Sequence, residues 1–279
     1  MDEKDGGIIQ YLDGVPCRLR QEADFGWLAA YGRVCRVWDG HLSGNLCFGV
    51  EGPYGRLFIK YAGAWTVNSS IPPSRAVRTL AAAMAVYGFR HPSMIPLLAC
   101  GPVGGGFAAV FPWLDAPPLS EAEERARRLP LETQLRMLDG IFDLHAYLAE
   151  NGYVSVDFHD GHVLVDFEGG RALLSDADMY RRKPAFNDRG RMYGSSRFLA
   201  PEEYDLGAPL DECTVVYHMG ALAFAFFGDN QERSRKKWIG PGTLYAVAER
   251  ACRERREERH PAVRAFLDAW REAVGRLFR

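Results

Sequence analysis

The sequence predicts an α+β chain of two lobes, on three observations. Between Tyr31 and Leu114, short β-type runs separated by glycines surround one helical stretch. Beyond Ala116-Pro117-Pro118 the apolar residues recur mainly at helical spacing. The proline pair between the two textures makes a natural connector. The division that follows is an N-terminal extension over residues 1–30, a small β-rich lobe with one helix over 31–115, and a larger, mainly helical lobe over 116–279.

Composition limits the roles open to such a chain. Its 279 residues suffice for real cores, and a formal net charge of −2 argues against a nucleic acid or an anionic membrane as its general partner. The six cysteines are scattered, with no Cys-x-x-Cys pair and no zinc spacing, which reads as reduced thiols in the cytoplasm. The acidic start Met1-Asp2-Glu3-Lys4-Asp5 lacks the basic-then-apolar order of a signal peptide. The longest apolar run, Val215 to Phe227, is too short to span a bilayer and carries His218.

In the first lobe, Gly40 and Gly44 lie between β-type runs, where a tight hairpin lets backbone N–H groups approach an anion closely. A simple turn explains the same pattern. Gly55 to Ala62 reads as an apolar strand bearing Lys60 near its end, either as a solvated strand end or as a phosphate ligand. A helix is expected from about Ser74 to Phe89, ended near Pro92, with a strand beginning directly after His91-Pro92. Phe107 to Asp115 reads as a buried strand entering the connector. The tripeptide Asp24-Phe25-Gly26 matches a well-known kinase motif in letters only, since it lies upstream of everything it would have to follow.

In the second lobe, Ser120 to Arg128 is charged and poorly specified. Leu135, Met137, Leu138, Ile141, Phe142, Leu144 and Leu148 then repeat at helical spacing over Glu132 to Glu150, with His145 as a core histidine. The polar loop Ser155-Val156-Asp157-Phe158-His159-Asp160-Gly161-His162 follows, and concentrates ionisable groups where folded chains tend to place chemistry. Val163-Leu164-Val165 and Ala172-Leu173-Leu174 flank Glu168-Gly169-Gly170 as a hairpin, which runs into Ser175-Asp176-Ala177-Asp178.

From about Val34 to Trp270 the chain resembles the eukaryotic-type Ser/Thr protein kinase superfamily, as a divergent, bacterial-like member. The most specific stretch is Gly194-Ser195-Ser196-Arg197-Phe198-Leu199-Ala200-Pro201-Glu202-Glu203, similar to the family's substrate-docking loop and Ala-Pro-Glu motif. Tyr217-His218-Met219-Gly220 resembles the central buried helix, and Arg259-His260-Pro261 the terminal motif. The resemblance implies a two-lobed kinase-like fold, ATP with Mg²⁺ or Mn²⁺ as cofactors, and a protein hydroxyl as acceptor. It makes Lys60 the contact to the α and β phosphates, and Gly40 and Gly44 the loop that covers them. Asp157 becomes the carboxylate that orients the attacking hydroxyl, and Ser195 the hydroxyl that steadies Asp157. Asp176 becomes a metal ligand, with Asp178 facing the same way if the segment is extended. It further implies a buried Glu202 to Arg259 ion pair of structural purpose.

Several positions depart from the family pattern. The helical glutamate that would pair with Lys60 falls at Ala82, and no acidic residue lies anywhere from Ser74 to Arg90. His162 stands at the second metal position, where an imidazole suits magnesium poorly and Asp160 is the substitute at hand. Ser155-Val156 replaces the His-Arg before Asp157, and Val215 replaces the aspartate that ties that backbone down; together these losses read as one rebuilt anchor. The segment Arg181 to Arg191 contains no Ser, Thr or Tyr, which argues against a phosphorylation switch. Its Arg181, Arg182, Lys183, Arg189 and Arg191 suit an acidic substrate or a solvated basic loop. The expected function is ATP-dependent Ser/Thr phosphorylation. The alternative is a pseudokinase, a nucleotide-binding scaffold with little or no transfer.

Overall fold

A computed structural model describes residues 7–279. The chain is mixed α and β and divides into two compact units. One comprises residues up to Arg90 together with Ile95–Leu114; the other comprises His91–Met94 and Asp115–Arg279.

In the first unit, β1 (Ile8–Leu12) and β2 (Val15–Leu19) form an antiparallel hairpin closed by Asp13 and Gly14, both at positive φ. Such a two-residue turn suits Asp-Gly because its twist matches that of the strands it joins. Residues 8–30, set apart as an extension on sequence grounds, contribute Cys17, Leu19, Phe25 and Leu28 to the apolar core of this unit. Five antiparallel strands follow in the order β3-β4-β5-β7-β6, with β3 (Arg33–Trp38), β4 (Asn45–Gly52), β5 (Gly55–Ala62), β6 (Ala99–Val103) and β7 (Gly106–Pro112). Between β5 and β6 runs α1 (Pro73–Tyr87), whose Ala76 and Leu80 pack on Ala62. The strand expected directly after His91-Pro92 starts later, at Ala99. Pro96 has no N–H for a ladder, and Leu98 lies 56% exposed, so the segment before Ala99 stays irregular.

Strand β5 alternates as a two-faced strand must. Leu57, Ile59 and Tyr61 enter the main core, while Ala62 faces the side that α1 covers. Lys60 falls on that second face by the same alternation, opposite Cys47 and Ala109, and is only 6% exposed.

The second unit is mainly helical. The charged stretch Ser120 to Arg128 proves to be a helix, α2 (Leu119–Arg127), with Leu119, Ala122 and Ala126 buried. Its outer face carries Glu123–Arg127 and Glu124–Arg128 pairs at i,i+4, and that spacing is the signal the composition obscured. Helix α3 (Leu131–Glu150) buries Leu135, Leu138, Ile141, Phe142 and Leu144, each contributing roughly 1.5–3 kcal/mol by transfer from water. Next come β8 (Tyr153–Val154), then β9 (Val163–Asp166) paired with β10 (Arg171–Leu174) as the expected hairpin. Short strands β11 (Arg181–Arg182) and β12 (Ala185–Phe186) pair with β8 and with β13 (Pro209–Leu210).

Helix α4 (Glu212–Phe227) is apolar all round and buried along nearly its whole length, as a helix at the centre of a core must be. Asp211 caps it through the Cys213 N–H at 2.8 Å. Helices α5 (Gly242–Ala251) and α6 (Val263–Gly275) pack around it. No helix among the described residues is long and apolar enough to cross a membrane.

Candidate active site

The second unit places Asp157, Asp176 and Asp178 close enough to act on one another's charge. Two local structures bring this about. After α3 ends at Asn151, β8 delivers the chain into Ser155-Val156-Asp157, with Ser155 and Val156 buried. Asp157 itself takes φ 62°, a left-handed conformation that Asp and Asn tolerate better than other non-glycine residues. At the far end of the β9–β10 hairpin, the Ser175 N–H and Oγ both donate to the His162 carbonyl, at 2.8 and 3.0 Å. That double bond ties the start of the Asp176 segment to the end of the polar loop.

Burial, then the negative charge of Asp176 and those of Glu203 and Asp178, push the Asp157 carboxyl up to about 6, with His159 opposing. The segment after Ser175 is a turn rather than an extended strand, and Asp176 Oδ1 accepts the Asp178 N–H at 3.0 Å. The shared facing expected of an extended strand therefore does not apply to Asp178.

Asp160, the expected substitute metal ligand, is held by Arg197 instead. It is 1% exposed, and Arg197 reaches its two oxygens at 2.9 and 2.6 Å. Burial works against its charge, but hydrogen bonds from His159 and Arg197 hold its carboxyl below the usual range. Arg197 also pairs with Glu123 of α2 at 3.4 Å, so it ties its own stretch of chain both to the polar loop and to α2. The His162 ring lies against His159, with centroids 3.9 Å apart. Of the residues expected to face a metal, Asp160 is thus engaged by Arg197 and His162 stacks on His159.

Gly194 stands beside Asp157. Its φ is 121°, so a larger residue would be strained; a Cβ there would sit 3.2 Å from Leu199 Cδ2 and in ordinary contact, 3.4 Å, with Asp157 Oδ1. Ser195 follows at once, and its carbonyl accepts the Phe198 and Leu199 N–H groups. Among the described residues its Oγ makes no hydrogen bond to Asp157, so the steadying role expected of that hydroxyl finds no counterpart.

Two buried networks flank these residues. Arg259 meets Glu202 through both oxygens, at 2.8 and 3.0 Å, with the two side chains 0% and 4% exposed. The carbonyls of Arg253, Glu254 and Cys213 take its remaining N–H groups. The second network was not foreseen as such. Ser155 Oγ lies 2.9 Å from His218 Nδ1, and His218 Nε2 lies 2.7 Å from Glu203 Oε2, which also accepts the Ala200 N–H. A histidine inside the apolar run of α4 was the available sequence signal, since a buried imidazole needs polar partners.

The expected core role of His145 is met. Its Nδ1–H donates to the Ile141 carbonyl at 2.8 Å and Nε2 accepts from Tyr180 Oη at 2.7 Å, while burial pushes its pKa down to about 3.

In the first unit, Gly44 takes φ 80° in the turn between β3 and β4 and therefore requires glycine. Gly40 does not, since the nearest atom to a Cβ there is Asn68 Nδ2 at 3.5 Å. Asn68 and Ser69 brace the turn through the carbonyls of Gly40 and Leu42. The five cations of residues 181–191 are engaged within the chain. Arg181 pairs with Asp188 and Lys183 with Glu212, while Arg182, Arg189 and Arg191 lie over tyrosine rings. The acidic-substrate expectation gains no support from them.

Among the described residues no three His, Cys, Asp or Glu side chains are arranged to enclose a metal ion. The donor chemistry still suits magnesium delivered with a nucleotide, which is held through one or two carboxylates plus phosphate oxygens rather than a protein cage. The negative charge around Asp157 is what such a cation would offset. Compared with protein-family models and with curated proteins, the chain matches none.

Proposed function

We propose that the chain has a two-lobed protein-kinase-like fold and is an ATP-dependent Ser/Thr protein kinase. The observation that carries the reading is Asp157, a part-buried carboxylate near pH 6 under the charges of Asp176 and Asp178, with the Gly194 backbone against it. When bound, the nucleotide supplies the γ-phosphoryl group and its Mg²⁺ or Mn²⁺ neutralises charge as the phosphoryl moves. Asp176 holds the metal side of that complex. Lys60 would hold the α and β phosphates, and the turn bearing Gly40 and Gly44 would cover them. Asp157 accepts a hydrogen bond from the acceptor hydroxyl and takes its proton as the new P–O bond forms and the bond to ADP breaks. A carboxyl near 6 is mostly ionised at neutral pH and still basic enough for that task.

A second reading, a nucleotide-binding scaffold, is favoured by α1, which has no acidic residue to hold Lys60 in place. Two assays separate the readings. Under the kinase reading the protein transfers labelled phosphate from ATP to a protein acceptor, and Asp157→Ala lowers transfer by roughly 10²–10⁴-fold while keeping the ATP-induced thermal shift. A thermal shift without transfer in the parent protein would leave the scaffold reading standing.

A further inference from the structure

We infer that His218 and Ser155 are positioning residues for Asp157, forming with Glu203 a buried relay that fixes the conformation of the Asp157 backbone. The inference rests on the reading of Asp157 as the group that orients the acceptor hydroxyl.

Asp157 needs such support, because φ 62° is a sparsely populated conformation that persists only where the surroundings determine it. The chain is held on either side of it, and on both sides by the same imidazole. On one side Ser155, 2% exposed, meets His218 Nδ1 at 2.9 Å. On the other side Phe158, 1% exposed, lies with its ring centroid 6.1 Å from that of His218 and 4.7 Å from that of His145. His218 thus meets the residue two positions before Asp157 and the residue directly after it.

The proton assignment follows from what each atom can do. Glu203 Oε2 already accepts the Ala200 N–H at 2.8 Å, so it is an acceptor and His218 Nε2 carries the proton it receives. Nδ1 is then free to accept from the Ser155 hydroxyl. Glu203 fixes the tautomer, the tautomer orients Ser155, and Ser155 sets the chain entering Asp157. Glu203 also belongs to the turn over Pro201–Tyr204 that follows the docking loop, so the relay joins that loop to the residue it would serve. All three relay side chains are at most 2% exposed, which rules out direct contact with substrate.

The test compares Ser155→Ala, His218→Gln and the double variant in the full-length protein. The positioning role predicts that ATP affinity and the acceptor KM hold while kcat falls about tenfold or more in each. The double variant should lose no more than the worse single one, since one relay is broken either way. It also predicts that the Asp157 and Gly194 amide NMR signals broaden or split while those of α6 stay unchanged. Should His218→Gln fail to fold, Ser155→Ala, which removes one hydroxyl, carries the comparison alone. Unchanged Asp157 and Gly194 signals, or a lower Tm with unchanged kcat, would overturn the inference. If the parent protein transfers no phosphate, the kinase reading falls, and the NMR comparison still decides whether the relay positions Asp157.

Discussion

Asp157 carries opposing demands in one side chain. Its carboxyl is raised from the ordinary 3.8 to about 6, so in the folded state the neutral form is favoured. A group shifted this way contributes its full stability below its unfolded pKa and loses it as pH rises through the folded one. The interval from 3.8 to about 6 corresponds to at most about 3 kcal/mol, lost by pH 8. Asparagine keeps the shape and tolerates positive φ without the charge. Asp157→Asn is therefore expected to be more stable than the parent at pH 8 in urea unfolding, by up to about 3 kcal/mol, with the gain shrinking toward zero as pH falls to 4. Stability gained by losing the charge marks a residue kept for function rather than for folding. A variant less stable at every pH would mean that the carboxylate supports the fold.

Between elements, the Glu202–Arg259 pair links the turn over Pro201–Tyr204 to the segment between α5 and α6. Burial opposes the Glu202 charge, but the Arg259 guanidinium and the Thr214 hydroxyl hold its carboxyl below 4.5. Its contribution is present above the unfolded pKa and is lost as pH falls through the folded one. Arg259→Met, which leaves the buried Glu202 carboxylate only Arg256 and the Thr214 hydroxyl as partners, should cost up to about 3 kcal/mol at pH 7, and the deficit should narrow in acid. Glu202→Leu combined with Arg259→Met should recover much of the loss, because no charge is then left unpaired. Chemical denaturation of the three variants checks both statements, and an equal loss in single and double variants would contradict them.

This pair was legible before any coordinates, since Ala-Pro-Glu and a distant Arg-His-Pro are specific letters at specific separations. The α3 periodicity and the β9–β10 hairpin were legible for the same reason: a repeat or a turn signal lies within a few residues. Helix α2 was not, because its charges pair along the helix and only three small or apolar residues face inward. The β1–β2 hairpin also escaped, although Asp13-Gly14 between two alternating runs is a strong short-range signal. The capture of Asp160 by Arg197, 37 positions away, had no local signature at all.

At the scale of the molecule, the proposed kinase function asks side chains of both units to serve one nucleotide. Lys60 belongs to the β-rich unit, and Asp157 and Asp176 to the helical one. The crowding of negative charge around Asp157 is costly in isolation, and a bound metal nucleotide would offset it. Paramagnetic broadening of amide NMR signals by Mn²⁺·ATP tests that joint role most directly. The account predicts that the signals of Lys60, Asp157 and Asp176 vanish together at stoichiometric Mn²⁺·ATP, while those of Tyr11 and Phe278 remain. Broadening confined to one unit, or spread without focus over both, would contradict it.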